Sequence, residues 1–349
     1  MKQQIRTQGL CVILFVLLST DLVIRPFSQR AGVRAQVYVP AAFLAGLLVL
    51  ALTYPLVRAM DQSPVRERLK ACWTHSVWAA PFAFVFAFGA VQALMRGSIF
   101  LQYISDESAP KWISAALMLA IAWYAMRCGV ETLLRVCGIL FWLFCISVVL
   151  LLISNVQEMR FYHLALRPFS ASEVFSAAFK GVSVSAQIPL FLWFSASGTR
   201  RAQKGYSAAI LAAMVLAAVF STVSEMVLGT QAQMQNQTVY ALSRLGSISV
   251  MQRLDAMHCA VWMMMEITKV CAFAVGLRSA LQFFLPQWNT ERLCAGALSL
   301  LVVMFLLCYG LQDLQRQWVE TALSAAVLVL AAYQIQRQRR KANESNHGA

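Results

Sequence analysis

Long apolar stretches separated by short polar segments make up most of the chain. An α-helix rises about 1.5 Å per residue, so about 20 apolar residues cross the ~30 Å hydrocarbon core of a bilayer. Inside lipid, an α-helix satisfies its backbone polar groups by hydrogen bonds within the same segment. The pattern therefore predicts an all-α polytopic membrane protein with ten transmembrane helices. The predicted helices cover residues 8–26, 36–57, 76–96, 112–128, 134–154, 174–196, 206–229, 255–284, 290–311 and 318–336.

Composition agrees with this architecture and leaves little room for a soluble domain. Of the 349 residues, 60% are hydrophobic and 13% are charged, whereas soluble domains are about 45–50% apolar and about 25% charged. The net charge of +14 is assigned to loops that meet lipid head groups, because no basic segment resembles a nucleic-acid surface. The first stretch follows Lys2 and Arg6 without a small-residue cleavage site, so we interpret it as a retained helix. The chain is predicted to form a single transmembrane domain.

Lysine and arginine positions predict the orientation of the chain. With the N-terminus in the cytoplasm, more of the 29 Lys and Arg residues fall in cytoplasmic loops and tails than outside, as the positive-inside rule requires. Both termini, including the polar tail at 337–349, are therefore expected on the cytoplasmic side. Ten helices with both ends inside fit two five-helix halves of opposite orientation. We place inverted repeats at about residues 8–155 and 174–311, with helix ten at 318–336.

The helices that open the two halves, the first and the sixth, both carry polar residues near a proline. Inverted repeats of this kind hold small molecules near the bilayer midplane, where interrupted helices expose backbone groups. We therefore predict that both helices are interrupted at their polar residues. The alternative is a proline kink whose backbone groups are satisfied by Ser and Thr without a ligand. The polar residues are Ser19, Thr20 and Asp21 before Pro26, and Ser183, Ser185 and Gln187 before Pro189.

A lysine lies near the middle of the eighth predicted helix. Lys269 follows Glu266 by three residues, so the two side chains share one helix face. An ammonium at the bilayer centre costs about 3 kcal/mol on insertion scales, so Lys269 is expected to face the bundle interior. One interpretation is that Lys269 binds a ligand carboxylate or replaces a coupling cation. The others are a structural pair with Glu266 and a lysine that extends to the interface.

Other polar residues within the apolar stretches have simpler interpretations. Asp21 either accepts a hydrogen bond from a ligand amine or caps the helix after the break. Glu225 is expected at a solvated helix end, and Arg96, one turn after Gln92, is expected to anchor at the membrane interface. The histidines and cysteines show no metal-site spacing, and no catalytic motif occurs in a suitable context. The sequence therefore predicts neither a metal, nor a cofactor, nor an enzyme.

Several motifs taken together resemble one family of membrane proteins. Over about residues 8–335 the chain is similar to the spore germination permeases, the GerAB-type B subunits of endospore germinant receptors, which belong to the amino acid–polyamine–organocation superfamily. The motifs are Ala-Leu-Met-Arg at 93–96 with Phe100, Ala-Pro-Lys-Trp at 109–112, Gly-Val-Glu-Thr-Leu-Leu-Arg at 129–135, Thr-Val-Tyr-Ala-Leu-Ser-Arg at 238–244, Gln-Arg-Leu-Asp-Ala at 252–256 with Trp262 and Lys269, and Pro26 with Ala31 and Gly32.

The resemblance implies a LeuT-like fold with a 5+5 inverted repeat and interrupted helices 1 and 6. It also implies a receptor for small nutrients, commonly amino acids, with A-type and C-type partner subunits in the inner membrane of a dormant spore. Two departures fall in the expected pocket. The first-helix break usually carries glycine where this chain has polar residues at 19–21, and the sixth helix often has glutamate near Gln187.

We therefore expect a nutrient-sensing subunit that binds a small molecule, an amino acid, at the bilayer midplane and transmits a conformational change to its partners. The alternatives are a secondary amino acid transporter of the same fold and a structural partner with a vestigial pocket. The expected ligand-binding residues are Ser19, Thr20, Asp21, Gln92, Ser183, Ser185, Gln187, Glu266 and Lys269.

Overall fold

The apolar stretches form helices throughout the part of the chain that the computed structural model describes. Within that part, six helices are long and apolar enough to cross a membrane, and two shorter apolar helices cover Gly9–Asp21 and Ala322–Gln334. No strand occurs in it, as expected for a chain whose backbone groups are satisfied inside lipid. The described residues are 7–24, 34–60, 76–105, 110–164, 168–181, 187–195, 202–233, 235, 237–246, 255–310, 322–334 and 336.

We number the α-helices in chain order. They are α1 Thr7–Ile24, α2 Ala35–Met60, α3 Ser76–Ile104, α4 Lys111–Cys128, α5 Val130–Ser154, α6 Ala171–Gly181, α7 Gln187–Ser195, α8 Ala202–Leu228, α9 Thr238–Leu245, α10 Asp255–Phe284, α11 Thr290–Gly310 and α12 Ala322–Gln334. Short 3-10 turns cover Val156–Glu158, Phe161–His163 and Gly229–Gln233.

Each predicted transmembrane stretch corresponds to a described helix or pair of helices. The sixth stretch contains the described helices α6 and α7, and the predicted interruption falls on the residues between them. Residues 182–186 between them, which include Ser183 and Ser185, lie outside the described residues. The third stretch is longer than predicted, because α3 continues from residue 96 to Ile104.

The expected interruption of the first helix at residues 19–21 is wrong at that position. α1 is continuous through these residues to Ile24. The hydroxyl of Thr20 donates to the carbonyl oxygen of Val16 at 2.7 Å, and this bond to the preceding turn lets a polar side chain lie in an apolar helix without breaking the backbone. Pro26 lies outside the described residues.

α3 and α10 pack along each other at the centre of the bundle. The most apolar part of each helix is 78% buried, compared with 28% for α5 and α11, which therefore lie at the periphery of the bundle. Gly89 allows the close approach, since a Cβ atom there would lie 2.8 Å from the ring of Phe273. α1 contacts α5, α7, α8 and α10. The first helix is therefore held inside the bundle, beside the helix that carries Lys269.

Glu225 of α8 is not at a solvated helix end, so that expectation is wrong. Its side chain is 7% exposed, and Oε2 accepts a hydrogen bond from the backbone nitrogen of Ala35 at 2.6 Å. Ala35 is the first residue of α2, where backbone N–H groups have no partner within the helix. Glu225 therefore caps α2 from a neighbouring helix, and its negative charge lies at the positive end of the α2 dipole.

Candidate functional site

A buried carboxylate on α1 is the centre of a cluster of polar side chains. Asp21 is 6% exposed. Its Oδ1 accepts hydrogen bonds from Nζ of Lys269 and from Nη1 of Arg96, the latter at 2.5 Å. Its Oδ2 accepts a hydrogen bond from Nε2 of Gln187. One carboxylate therefore joins α1 to α3, α7 and α10, so the predicted site residues of the first, sixth and eighth stretches do meet.

Lys269 lies inside the protein and does not extend to the interface. Its side chain is fully buried and pairs with Asp21, so the interpretation of an interfacial lysine is wrong. Burying an ammonium in a low-dielectric interior is expensive without an opposite charge and further hydrogen bonds. Asp21 supplies that charge from a different helix. Asp21 is also not a helix cap, because α1 continues past it to Ile24.

Arg96 belongs to the same cluster, and the expectation that it anchors at the membrane interface is wrong. Its side chain is 18% exposed and pairs with Asp21, while its Nε donates to the backbone oxygen of Gln92 at 3.3 Å. The sequence ended the third stretch at this arginine, where an interfacial side chain is typical. The signal that could have found it is Gln92, four residues earlier. Two polar residues on one face of an apolar helix indicate an inward face.

The remaining described residues predicted for the site are buried, on the same helices as the residues of this cluster. Glu266 lies against α3, since a Cβ atom added at Gly97 would lie 3.2 Å from its Cγ. Oγ of Ser19 and Nε2 of Gln92 have no hydrogen-bond partner within the described residues. Buried polar atoms normally bond to protein, water or ligand, so these two are suited to contact a small polar molecule. The buried residues are Ser19, Thr20, Gln92, Gln187 and Glu266.

Two basic side chains and one acidic side chain meet in the cluster, and a second acidic side chain lies on α10 three residues before Lys269. Their formal charges cancel, and a charge buried without a partner in such an environment is strongly unfavourable. A molecule that carries equal numbers of positive and negative groups can therefore enter without leaving a net charge behind. The four side chains are Asp21, Glu266, Arg96 and Lys269.

The chemistry of the cluster is that of recognition by charge and hydrogen bonds. It offers ammonium, guanidinium, carboxylate and amide groups, held by helices rather than by loops. In the part of the chain that the structure describes, no group of three or more His, Cys, Asp or Glu side chains is placed to hold a metal ion.

The chain was compared with known families, and the family model for a spore germination protein matches residues 37–317. The chain belongs to the spore germination protein family. The predicted resemblance is thus confirmed over most of the chain. Within the cluster, Arg96, Gln187 and Lys269 fall inside the part of the chain that matches the family, whereas Asp21 precedes it.

This spore germination family member is similar in fold to a solved transporter structure. Mhp1, a nucleobase-cation-symport-1 family transporter in a closed conformation with bromovinylhydantoin bound, has a TM-score of 0.60 and 14% sequence identity, and the match covers 97% of this chain and 80% of that chain. An inward-facing structure of Mhp1 has a TM-score of 0.45 at 14% identity, covering 96% and 76% of the two chains. No curated protein matches the sequence.

The likeness to the closed structure of Mhp1 confirms the predicted fold class. The chain is an integral, multi-pass, all-helical membrane protein with a LeuT-like, permease-type fold. The family is that of a spore germination protein, and the fold is shared with a transporter.

Proposed function

We propose that this spore germination family member is a nutrient-sensing subunit that binds an amino acid at the cluster around Asp21. The observation that carries the proposal is the buried meeting of Asp21, Lys269 and Arg96 in the interior of a permease fold. Ionisable groups inside a membrane protein are expensive to bury and typically mark a ligand or ion pathway. The proposed localisation is the spore inner membrane, with both termini on the cytoplasmic side.

The charges of the cluster favour a zwitterion. Lys269 supplies positive charge for a carboxylate, as the sequence suggested, and the structure adds Arg96 as a second cation. Asp21 supplies the negative charge that an ammonium group requires. Ser19, Gln92 and Gln187 offer buried polar atoms to the rest of the ligand. We propose that Ser183 and Ser185 contribute from the link between α6 and α7.

Binding at this place is suited to produce a conformational change. The cluster joins helices from the first, third, sixth and eighth predicted stretches. A ligand shifts such a bundle only by its differential affinity for two arrangements of the helices. We propose that A-type and C-type receptor subunits respond to the arrangement that the ligand favours.

A thermal-stability screen tests the proposal directly. The purified protein in lipid nanodiscs is heated with each of the common amino acids, and a molecule that binds the folded state raises the unfolding midpoint. We expect one or a few amino acids to raise it, and Lys269→Ala to lose that response while the protein remains in the membrane. Arg135→Ala, a surface variant at a residue exposed on α5, is the matched control and should keep the response. A normal nutrient response in Lys269→Ala would remove Lys269 from the mechanism.

A secondary amino acid transporter is the second candidate, because the fold is shared with Mhp1, whose structure is that of a transporter. Liposomes containing the purified protein separate the two functions. Accumulation of a labelled amino acid under an ion gradient favours transport, whereas stabilisation without uptake favours sensing. If no amino acid stabilises the protein, a structural role with a vestigial pocket remains.

A further inference from the structure

We infer that Arg96 and Lys269 form a carboxylate-binding subsite, and that the side chain of Asp21 occupies this subsite in competition with the ligand. This inference rests on the proposed function, because it specifies which class of molecule the cluster accepts. The competition between Asp21 and a carboxylate can be tested with acetate alone.

The geometry around Asp21 is that of a bound carboxylate. Two cationic groups, from α3 and α10, both donate to Oδ1, and an amide from the start of α7 donates to Oδ2. Guanidinium and ammonium groups are the donors that proteins use to hold carboxylates, and such charge-assisted hydrogen bonds are strong. Nothing in this set of donors requires the carboxylate to belong to the protein chain. The same donors can hold the carboxylate of a small molecule.

Exchange of one carboxylate for another determines the class of ligand. When a ligand carboxylate takes the donors of Arg96 and Lys269, the carboxylate of Asp21 loses these two cations in the interior. A buried charge that loses its partner is strongly disfavoured. A ligand that also carries an ammonium group restores a partner for Asp21, whereas a simple carboxylic acid does not. Asp21 is therefore the residue that makes the site select zwitterions over plain carboxylates.

The exchange also indicates which helix responds to the ligand. Asp21 is the residue of α1 that bonds to α3, α7 and α10 at this cluster. Releasing it removes those three bonds from α1 at once, while Arg96 and Lys269 stay close together on the ligand carboxylate. The arrangement thus couples ligand binding to the position of α1 in the bundle.

Chemical rescue tests the inference with acetate as the probe. In Asp21→Asn the subsite keeps its two cations and loses the competing carboxylate, so added acetate should bind there and raise the unfolding midpoint in nanodiscs. Sodium acetate is compared with sodium chloride at equal ionic strength. We expect acetate to bind Asp21→Asn at least about tenfold more tightly than it binds the wild type. Removing the second cation, in Asp21→Asn with Lys269→Met, should abolish the acetate effect.

Glu225→Gln is the matched control, because Glu225 is buried to the same degree as Asp21 but caps α2 without a cationic partner among the described ion pairs. It should show no acetate effect. If Asp21→Asn is recovered folded only when acetate is present during extraction, that result also supports the subsite. The inference is overturned if acetate and chloride act equally on Asp21→Asn. It is also overturned if Asp21→Asn is recovered folded only when it is combined with Lys269→Met, and never when acetate is added.

The outcome separates this inference from the proposed function. A response of Asp21→Asn to acetate, together with a wild type that no amino acid stabilises, would keep the subsite and reject nutrient sensing. The opposite result, a wild type stabilised by an amino acid and an Asp21→Asn variant indifferent to acetate, would keep ligand binding and reject the exchange.

Discussion

Lys269 of α10 donates a hydrogen bond to Oδ1 of Asp21 in α1, although 248 positions of sequence separate the two residues. Both side chains are buried. In such a pair the attraction of the charges roughly offsets the loss of their hydration, so the pair by itself adds little stability. The two residues are nevertheless coupled, because removing the ammonium takes one of two described cations from Asp21, and removing the carboxylate leaves the buried ammonium without that negative charge. Coupling of this kind links α1 to α10 more specifically than apolar packing does.

Removing the charge of Lys269 alone should be far more damaging than removing both charges. We expect Lys269→Met to lower the free energy of unfolding by about 3–5 kcal/mol, because it leaves Asp21 buried with one cation fewer. The combination with Asp21→Asn should recover most of that loss, since neither residue then carries a charge. Thermal unfolding of the single and double variants in nanodiscs measures the coupling between the two residues.

Arg135→Met provides the comparison for these single and double variants. Arg135 pairs with Glu131 at 2.8 Å on the surface of α5 with its side chain 77% exposed, and exposed pairs contribute about 0–1 kcal/mol. A loss for Lys269→Met no larger than the loss for Arg135→Met would contradict the prediction. Equal losses in the single and double variants would show that the two charges are not coupled.

The cap that Glu225 provides for α2 leads to a second prediction. Glu225→Ala removes the acceptor for the backbone N–H of Ala35, and an unsatisfied buried donor costs about 1–3 kcal/mol. Glu225→Gln keeps a carbonyl oxygen at that place and should lose less. Thermal unfolding of the two variants checks the order. If Gln is as destabilising as Ala, the charge at the helix end matters more than the hydrogen bond.

Part of this structure follows from the hydropathy pattern alone, because lipid leaves the chain few alternatives. The apolar stretches had to become helices, and α10 was predicted at residues 255–284 with Lys269 facing inward. The polar residues at 19–21, which are expected to contact a ligand, are buried. These polar residues nevertheless do not interrupt the helix. The hydroxyl of Thr20 forms its hydrogen bond within α1, and the helix is continuous there.

What the sequence could not reveal is which distant residue supplies each partner. Arg96 finds Asp21 across 75 positions, and Glu225 finds the start of α2 across 190 positions. From hydropathy alone, a charged residue whose partner is unknown is expected in water or at the membrane interface. Both residues were therefore expected there. A buried position becomes favourable only when an opposite charge or a helix end is known to lie beside it. Such proximity is a property of the folded bundle and not of a single segment.

Close packing of α3 against α10 gives a third prediction. Gly89→Ala would place a Cβ atom 2.8 Å from the ring of Phe273, which is fully buried, so the ring or its helix must shift. Overpacking of this kind costs about 1–3 kcal/mol. Gly138→Ala is the matched control, because a Cβ atom there has nothing within 4 Å and alanine is favoured over glycine inside a helix by about 1 kcal/mol. We expect opposite shifts in the unfolding midpoint, and equal shifts would contradict the packing.

The last prediction concerns the orientation of the chain. The excess of Lys and Arg predicts that the α4–α5 turn lies in the cytoplasm and the segment after α5 outside. Single cysteines are introduced as Glu131→Cys and Glu158→Cys, both at exposed residues, after the nine native cysteines have been replaced. A membrane-impermeant maleimide should label Glu158→Cys in intact cells. It should label Glu131→Cys only after the membrane has been permeabilised. The cysteine-free parent shows the background, and the reverse labelling pattern would place both termini outside.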